Sequence, residues 1–142
     1  MSLSPQDSWQ TQVENEVDKY MNVTLPFWDL FVLFTKDKVL LERGVEKPPN
    51  IDCRKLWNLF QDKKEAISSG ILLGDIQYDI HRWYGDLDVG LIYGREAENL
   101  KGKGIAVAKT EGFAALVLYS APAVSAYSVP ALKELIQKIA KI

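Results

Sequence analysis

The sequence predicts an α+β fold, with a central, mostly antiparallel sheet, the N- and C-terminal helices on one face and a shorter helix or helices on the other. Three observations carry this. The two ends of the chain read at helical period while the interior reads as short apolar runs between turns. The resulting order is helix, two strands, helix, about five strands, helix. Finally, Phe113 to Tyr119 is apolar at every position, as a strand covered on both faces must be. With 142 residues, 47% of them hydrophobic, the chain suits one core and is short for two, so residues 1–142 are expected to form a single domain.

The elements follow in order. Ser4, Pro5 and Asp7 make a helix start, and Trp9, Val13, Val17, Tyr20 and Met21 share one face of the helix that follows. Phe27 to Phe34 and Val39 to Glu42 flank the polar turn Thr35 to Lys38 and read as a hairpin, ended by Pro48 and Pro49. Asn50 or Asp52 caps a second helix, with Cys53, Leu56, Trp57 and Phe60 on one face. Gln61 to Ser69 finishes that helix or forms a short further one. Three short strands are expected at Ile71 to Leu73, Ile76 to Trp83 and Val89 to Tyr93. Strict alternation in the middle one turns Tyr78, Ile80 and Arg82 one way and Gln77, Asp79, His81 and Trp83 the other. Gly94 to Lys103 reads as a charged loop. Ile105 to Ala108 and Phe113 to Tyr119 then form the clearest hairpin, closed by a turn containing Gly112. Ser128 as cap and Pro130 in the first turn open a last helix with Leu132, Leu135, Ile136 and Ile139 on one face and Lys138 and Lys141 at its negative end.

Charge and motif content exclude several functions. The net charge of -2 argues against a nucleic-acid-coating protein. The charge is uneven: residues 101–142 hold six basic and two acidic side chains, while the rest is acidic, which favours an acidic partner or an anionic surface for the last third. Cys53 is the one cysteine, which suits a reducing compartment, and no apolar run is long enough to span a membrane, so a cytoplasmic location is expected. His81 is the one histidine and has no accompanying nucleophile motif, zinc ligation would need more Cys and His, and Gly102-Lys103-Gly104 lacks the rest of a phosphate loop. Asp75, Asp79, Asp86 and Asp88 sit in or near turns, where such residues are ordinarily turn formers. No catalytic residue, metal site or cofactor is expected.

In context, the chain resembles the profilins, small proteins that bind monomeric actin. Ser8-Trp9-Gln10-Thr11 with Val13 resembles their N-terminal helix motif. Gly70-Ile71-Leu72-Leu73-Gly74 with Tyr78 resembles their central G-x-x-L-G turn and the strand after it. Gly104 to Thr110, ending in Lys109-Thr110, resembles their late strand and KT turn, and Leu116 to Tyr119, Pro122 and the helix from Pro130 continue in register. The departures below point to a divergent member, of an archaeal rather than a typical eukaryotic branch.

The resemblance implies a non-enzymatic, monomeric, cytoskeleton-associated protein that binds the actin monomer and governs nucleotide exchange and filament assembly. It places the actin surface at Gln77, Ile80, Arg82, Tyr93, Arg95, Lys101, Lys103, Val124, Tyr127, Ser128, Val129 and Glu134. For Val124, Tyr127 and Val129 the alternative is packing of the last helix on the sheet. The family's second site holds proline-rich segments on exposed aromatics between the terminal helices. Here Trp9 matches, but Gln12, Leu40 and Lys138 stand where aromatics are expected, so proline-rich binding should be weak or altered unless Tyr20, Phe27 or Trp28 rebuilds the surface. Phosphoinositide headgroups are a third implied ligand, which Lys101, Lys103, Lys109, Lys133, Lys138 and Lys141 suit by charge. Two other readings fit the element order. One is a scaffold or GTPase-regulator module that dimerises through a helix or edge strand; the other is a ligand sensor or carboxylate enzyme with a pocket near Asp75, Asp79 and His81.

Overall fold

A computed structural model describes residues 5–21, 27–44, 50–98, 102–120 and 125–142. Its helices are α1 (Pro5–Met21), α2 (Cys53–Asn58), α3 (Lys63–Ser69) and α4 (Ser125–Ala140). Its strands are β1 (Leu30–Phe34), β2 (Val39–Gly44), β3 (Ile71–Leu73), β4 (Ile76–Tyr84), β5 (Gly90–Glu96), β6 (Gly104–Lys109) and β7 (Ala114–Tyr119). The strands form one sheet in the order β2-β1-β7-β6-β5-β4-β3, every pair antiparallel. The β6–β7 hairpin thus occupies the middle, and every residue of β7 is buried.

Alternation along the central strands divides the core between two faces. Ala106, Ala108, Ala115 and Val117 lie with Leu132, Leu135, Ile136 and Ile139 of α4 and Val13 and Val17 of α1. Small side chains here let α4 approach β6 and β7 closely, and α1 packs beside it. Ile105, Val107, Leu116 and Leu118 point the other way, toward Cys53, Leu56 and Phe60 around α2 and Ala66 of α3. The terminal helices therefore share one face and the two short helices the other, as the sequence predicts.

Caps account for the short helices. The Asp52 carboxylate accepts from the Lys55 amide at 3.1 Å, and that of Asp62 from the Glu65 amide at 3.1 Å, so Gln61 to Ser69 contains a separate helix rather than the end of α2. Gly70 closes α3 at φ +63, where a Cβ would stand 2.5 Å from the Tyr78 carbonyl oxygen.

Four expectations change. The first strand begins at Leu30 rather than Phe27. β5 runs on to Glu96, so Gly94 and Arg95 are strand residues and not loop. α4 begins at Ser125, which puts Pro130 inside the helix, and Ser128 is buried rather than capping: its hydroxyl donates to the Phe27 carbonyl at 2.8 Å. Lastly, β4 does not alternate strictly. Its register against β5 shifts between Ile80 and Arg82, leaving His81 as the extra residue of a bulge. Trp83 then faces α2 with Tyr78 and Ile80, its Nε1 donating to the Leu59 carbonyl at 2.8 Å, while Arg82 and Tyr84 turn to the terminal-helix side. Ser4, Pro48, Pro49 and Pro122 lie outside the described residues, and Pro5 and Asp7 have described backbone only.

Candidate functional site

α4 lies over β6 and β7, and beyond it the same sheet face continues across β5 and β4, where among the described residues no helix packs closely on it. Register and the bulge at His81 fix what that face presents. Arg82 stands opposite Tyr93, Tyr84 opposite Leu91, and Asp79 opposite Arg95. The Tyr84 and Tyr93 rings are 6.4 Å apart and tilted by 37°, and Tyr93 also packs on the core beneath α4. Arg82 is exposed, with Nη1 donating to the His81 carbonyl at 3.1 Å. Behind them the Tyr119 ring fits against Gly104, where a Cβ would fall 2.1 Å from it, and burial pushes the Tyr119 phenol up to about 12 against a smaller downward pull from Arg95. The result is a bare sheet face with two tyrosines, two arginines and one aspartate.

The expected actin-surface residues separate on this frame. Arg82, Tyr93 and Arg95 come together on the bare face. Tyr127, 69% exposed, stands at the start of α4. Gln77 turns back to its own hairpin, its Nε2 donating to the carbonyls of Ser69 at 3.0 Å and Tyr78 at 3.3 Å. The Lys103 ammonium lies 3.9 Å from Asp29, whose carboxylate also accepts from the Ser120 hydroxyl at 2.6 Å. Ile80 is buried on the α2 side, and Ser128 and Val129 are buried on the inward side of α4 itself. Glu134 accepts from the Tyr20 hydroxyl and from Lys138 at 3.1 Å, so it faces α1. Lys101 and Val124 lie outside the described residues. Tyr84 lies one residue beyond the expected end of the strand at Trp83, and Asp79, which strict alternation turns away from Arg82, shares this face with it because of the bulge.

Around α1 the aromatic side chains are mostly interior. Trp28 is fully buried, stacked on Tyr20 with centroids 5.5 Å apart, and donates from Nε1 to the Ser128 carbonyl at 3.0 Å. Tyr20 is buried too, and Phe27 is half-buried against it, so these residues build no exposed aromatic wall. Trp9 is half-buried on the core. It lines a cavity of about 60 Å³ with Gln10, Val13, Leu33, Leu40 and Leu41. Gln12 is exposed and donates to the Ser8 hydroxyl at 3.2 Å. Lys138 donates to the Tyr20 hydroxyl at 3.0 Å and sits 5.3 Å from its ring centroid. Its pKa is raised by those hydrogen bonds to Tyr20 and Glu134.

The remaining expected groups are dispersed. The Lys109 ammonium lies 4.4 Å from the Trp57 ring centroid on the α2 side, far round the sheet from Lys138. Asp75, Asp79 and His81 are exposed, on the turn before β4 and along it, and the cavity lies elsewhere. Among the described residues no three His, Cys, Asp or Glu side chains gather as a metal site, and no helix is long and apolar enough to cross a membrane.

No protein-family model matches this sequence, and no curated protein is similar to it at a significant level. Solved structures are similar in fold. Schizosaccharomyces pombe profilin superposes with a TM-score of 0.68 at 17% identity, over 94% of this chain and 97% of that one. Acanthamoeba castellanii profilin II gives 0.66 at 17% identity, over 94% and 98%. Profilin IB of the same organism gives 0.65 at 15% identity, again over 94% and 98%. The superpositions run nearly end to end on both chains, and the fold of this chain is the profilin fold.

Proposed function

We propose that this protein binds monomeric actin and regulates filament assembly, by sequestering monomers and altering their nucleotide exchange, and that it acts by binding rather than catalysis. The observation that carries the reading is the face of β4 and β5, where Arg82 and Arg95 flank the Tyr84–Tyr93 pair. Tyrosine and arginine are the side chains that anchor protein interfaces, and paired arginines favour an acidic partner. The fold supports actin as that partner, because the profilin resemblance implies it.

Proline-rich segments are secondary ligands on this reading, bound weakly. A polyproline helix needs stacked, exposed aromatics, and Trp9 is half-buried while Lys138 is held by Tyr20 and Glu134. Phosphoinositides are likewise secondary, since Lys103, Lys109 and Lys138 are each already engaged by protein groups on different parts of the surface.

Titration of cognate monomeric actin tests the surface. Saturable binding is expected, and Arg82→Glu and Arg95→Glu should each weaken it by about tenfold or more while leaving the thermal unfolding cooperative. Affinities within about twofold of wild type for both variants would move the interface elsewhere.

A further inference from the structure

The two outer edges of the sheet are built differently. β2 is blunted: its register against β1 shifts around Leu40, Glu42 is exposed, and Arg43 is tied to Asp18 and Glu14 of α1 at 3.3 and 3.5 Å. β3 has none of these devices. From Ala66 to Gly74 the chain carries no charge, and Leu72 in the middle of β3 is 62% exposed, with exposed Ile67 on α3 before it and exposed Ile76 across the turn. A two-residue turn, Gly74–Asp75, joins β3 to β4. In such a hairpin the pair beside the turn, Leu73–Ile76, exchanges both backbone bonds and the next, Leu72–Gln77, exchanges none. The Leu72 N–H and C=O therefore point outward along the open edge.

We propose that β3 pairs with β3 of a second copy, antiparallel about a two-fold axis through Leu72, in a weak, concentration-driven dimer. A two-fold axis at Leu72 sets Leu72 against the second copy's Leu72 and Ile71 against the second copy's Leu73, so the strand is its own complement. The exposed Leu72 meets Leu72 there, while Ile71 and Leu73 stay in their own cores, with no charge to repel and none to recruit an oppositely charged partner. The edge is three residues long and falls well short of the roughly 800 Å² per partner of a stable interface, so the chain remains a monomer at low concentration. This inference is independent of the actin reading, and its test contains no actin.

Sedimentation equilibrium from about 10 μM to about 1 mM should show the average mass rising above the 16.0 kDa of one chain. Leu72→Lys, which sets two ammonium groups face to face, should abolish the rise, and Leu87→Lys, at another exposed leucine, should retain it. In the unmodified protein, amide exchange at Leu72 should slow as concentration increases while that of exposed Gly112 stays constant. Monomer mass throughout, dimerisation of Leu72→Lys equal to wild type, or a Leu72 amide indifferent to concentration would each overturn the proposal.

Discussion

At the scale of single side chains, stability is expected to depend on pH. The Tyr119 phenol, held neutral by burial up to about 12, ionises near 10 in the unfolded chain. Its contribution to stability is therefore complete below pH about 10 and is lost as pH rises toward about 12. The Tyr20 phenol, raised by burial and by its bond to Glu134, and the Lys138 ammonium, raised by its hydrogen bonds, also weaken the fold in alkali. The difference between wild type and Tyr119→Phe isolates Tyr119: melting temperatures should diverge from neutral pH to pH about 11, with the variant losing less. Glu134 has the opposite sign. The hydrogen bond from Tyr20, and then that from Lys138, hold its carboxyl below the usual range. Its contribution is present above pH about 4.3 and is lost as pH falls through the lowered value, so Glu134→Gln should flatten the acid limb of the melting-temperature profile. Ser128 acts through burial instead. Ser128→Ala removes the hydroxyl that satisfies the Phe27 carbonyl and should cost about 1 to 3 kcal/mol in denaturant unfolding.

Most elements were legible because their signals are local. Apolar spacing marked the buried faces of α1 and α4, Asp52 marked a cap, and the all-apolar run ending at Tyr119 marked a central strand. What escaped depends on neighbours in space. Nothing in Ile76 to Tyr84 says which residue is extra, yet the shift at His81 decides that Arg82 joins the bare face and Trp83 the α2 side. Ser128 and Pro130 imitate a helix start so closely that the true start at Ser125 was hidden, and only the Phe27 carbonyl explains a buried serine within the helix. Gly70 shows the same dependence on a neighbour. Its positive φ and the Tyr78 carbonyl oxygen 2.5 Å from any Cβ mean that Gly70→Ala should destabilise the α3–β3 junction by more than about 1 kcal/mol, measured by denaturant unfolding.

At the scale of the molecule, the described helices leave the β4 and β5 part of one sheet face uncovered, and the proposed function lies there. The sequence supplied the fold and part of that face: Arg82, Tyr93 and Arg95 come together, while Ile80, Ser128 and Val129 are interior because packing claims them. Gln12, Leu40 and Lys138, standing where the resemblance implies aromatics, were equally legible as residue types. Burial of Tyr20 and Trp28 was not, because it depends on α4 closing over them. An oligoproline titration should accordingly show weak binding, and tight saturation in the low micromolar range, about 8 kcal/mol, would show that other aromatics rebuild the site. The central claim is tested most directly by spontaneous assembly of cognate actin at saturating protein. The account predicts that filament formation slows as free monomer is withdrawn, with Arg82→Glu restoring the rate, whereas assembly indistinguishable from actin alone would contradict it.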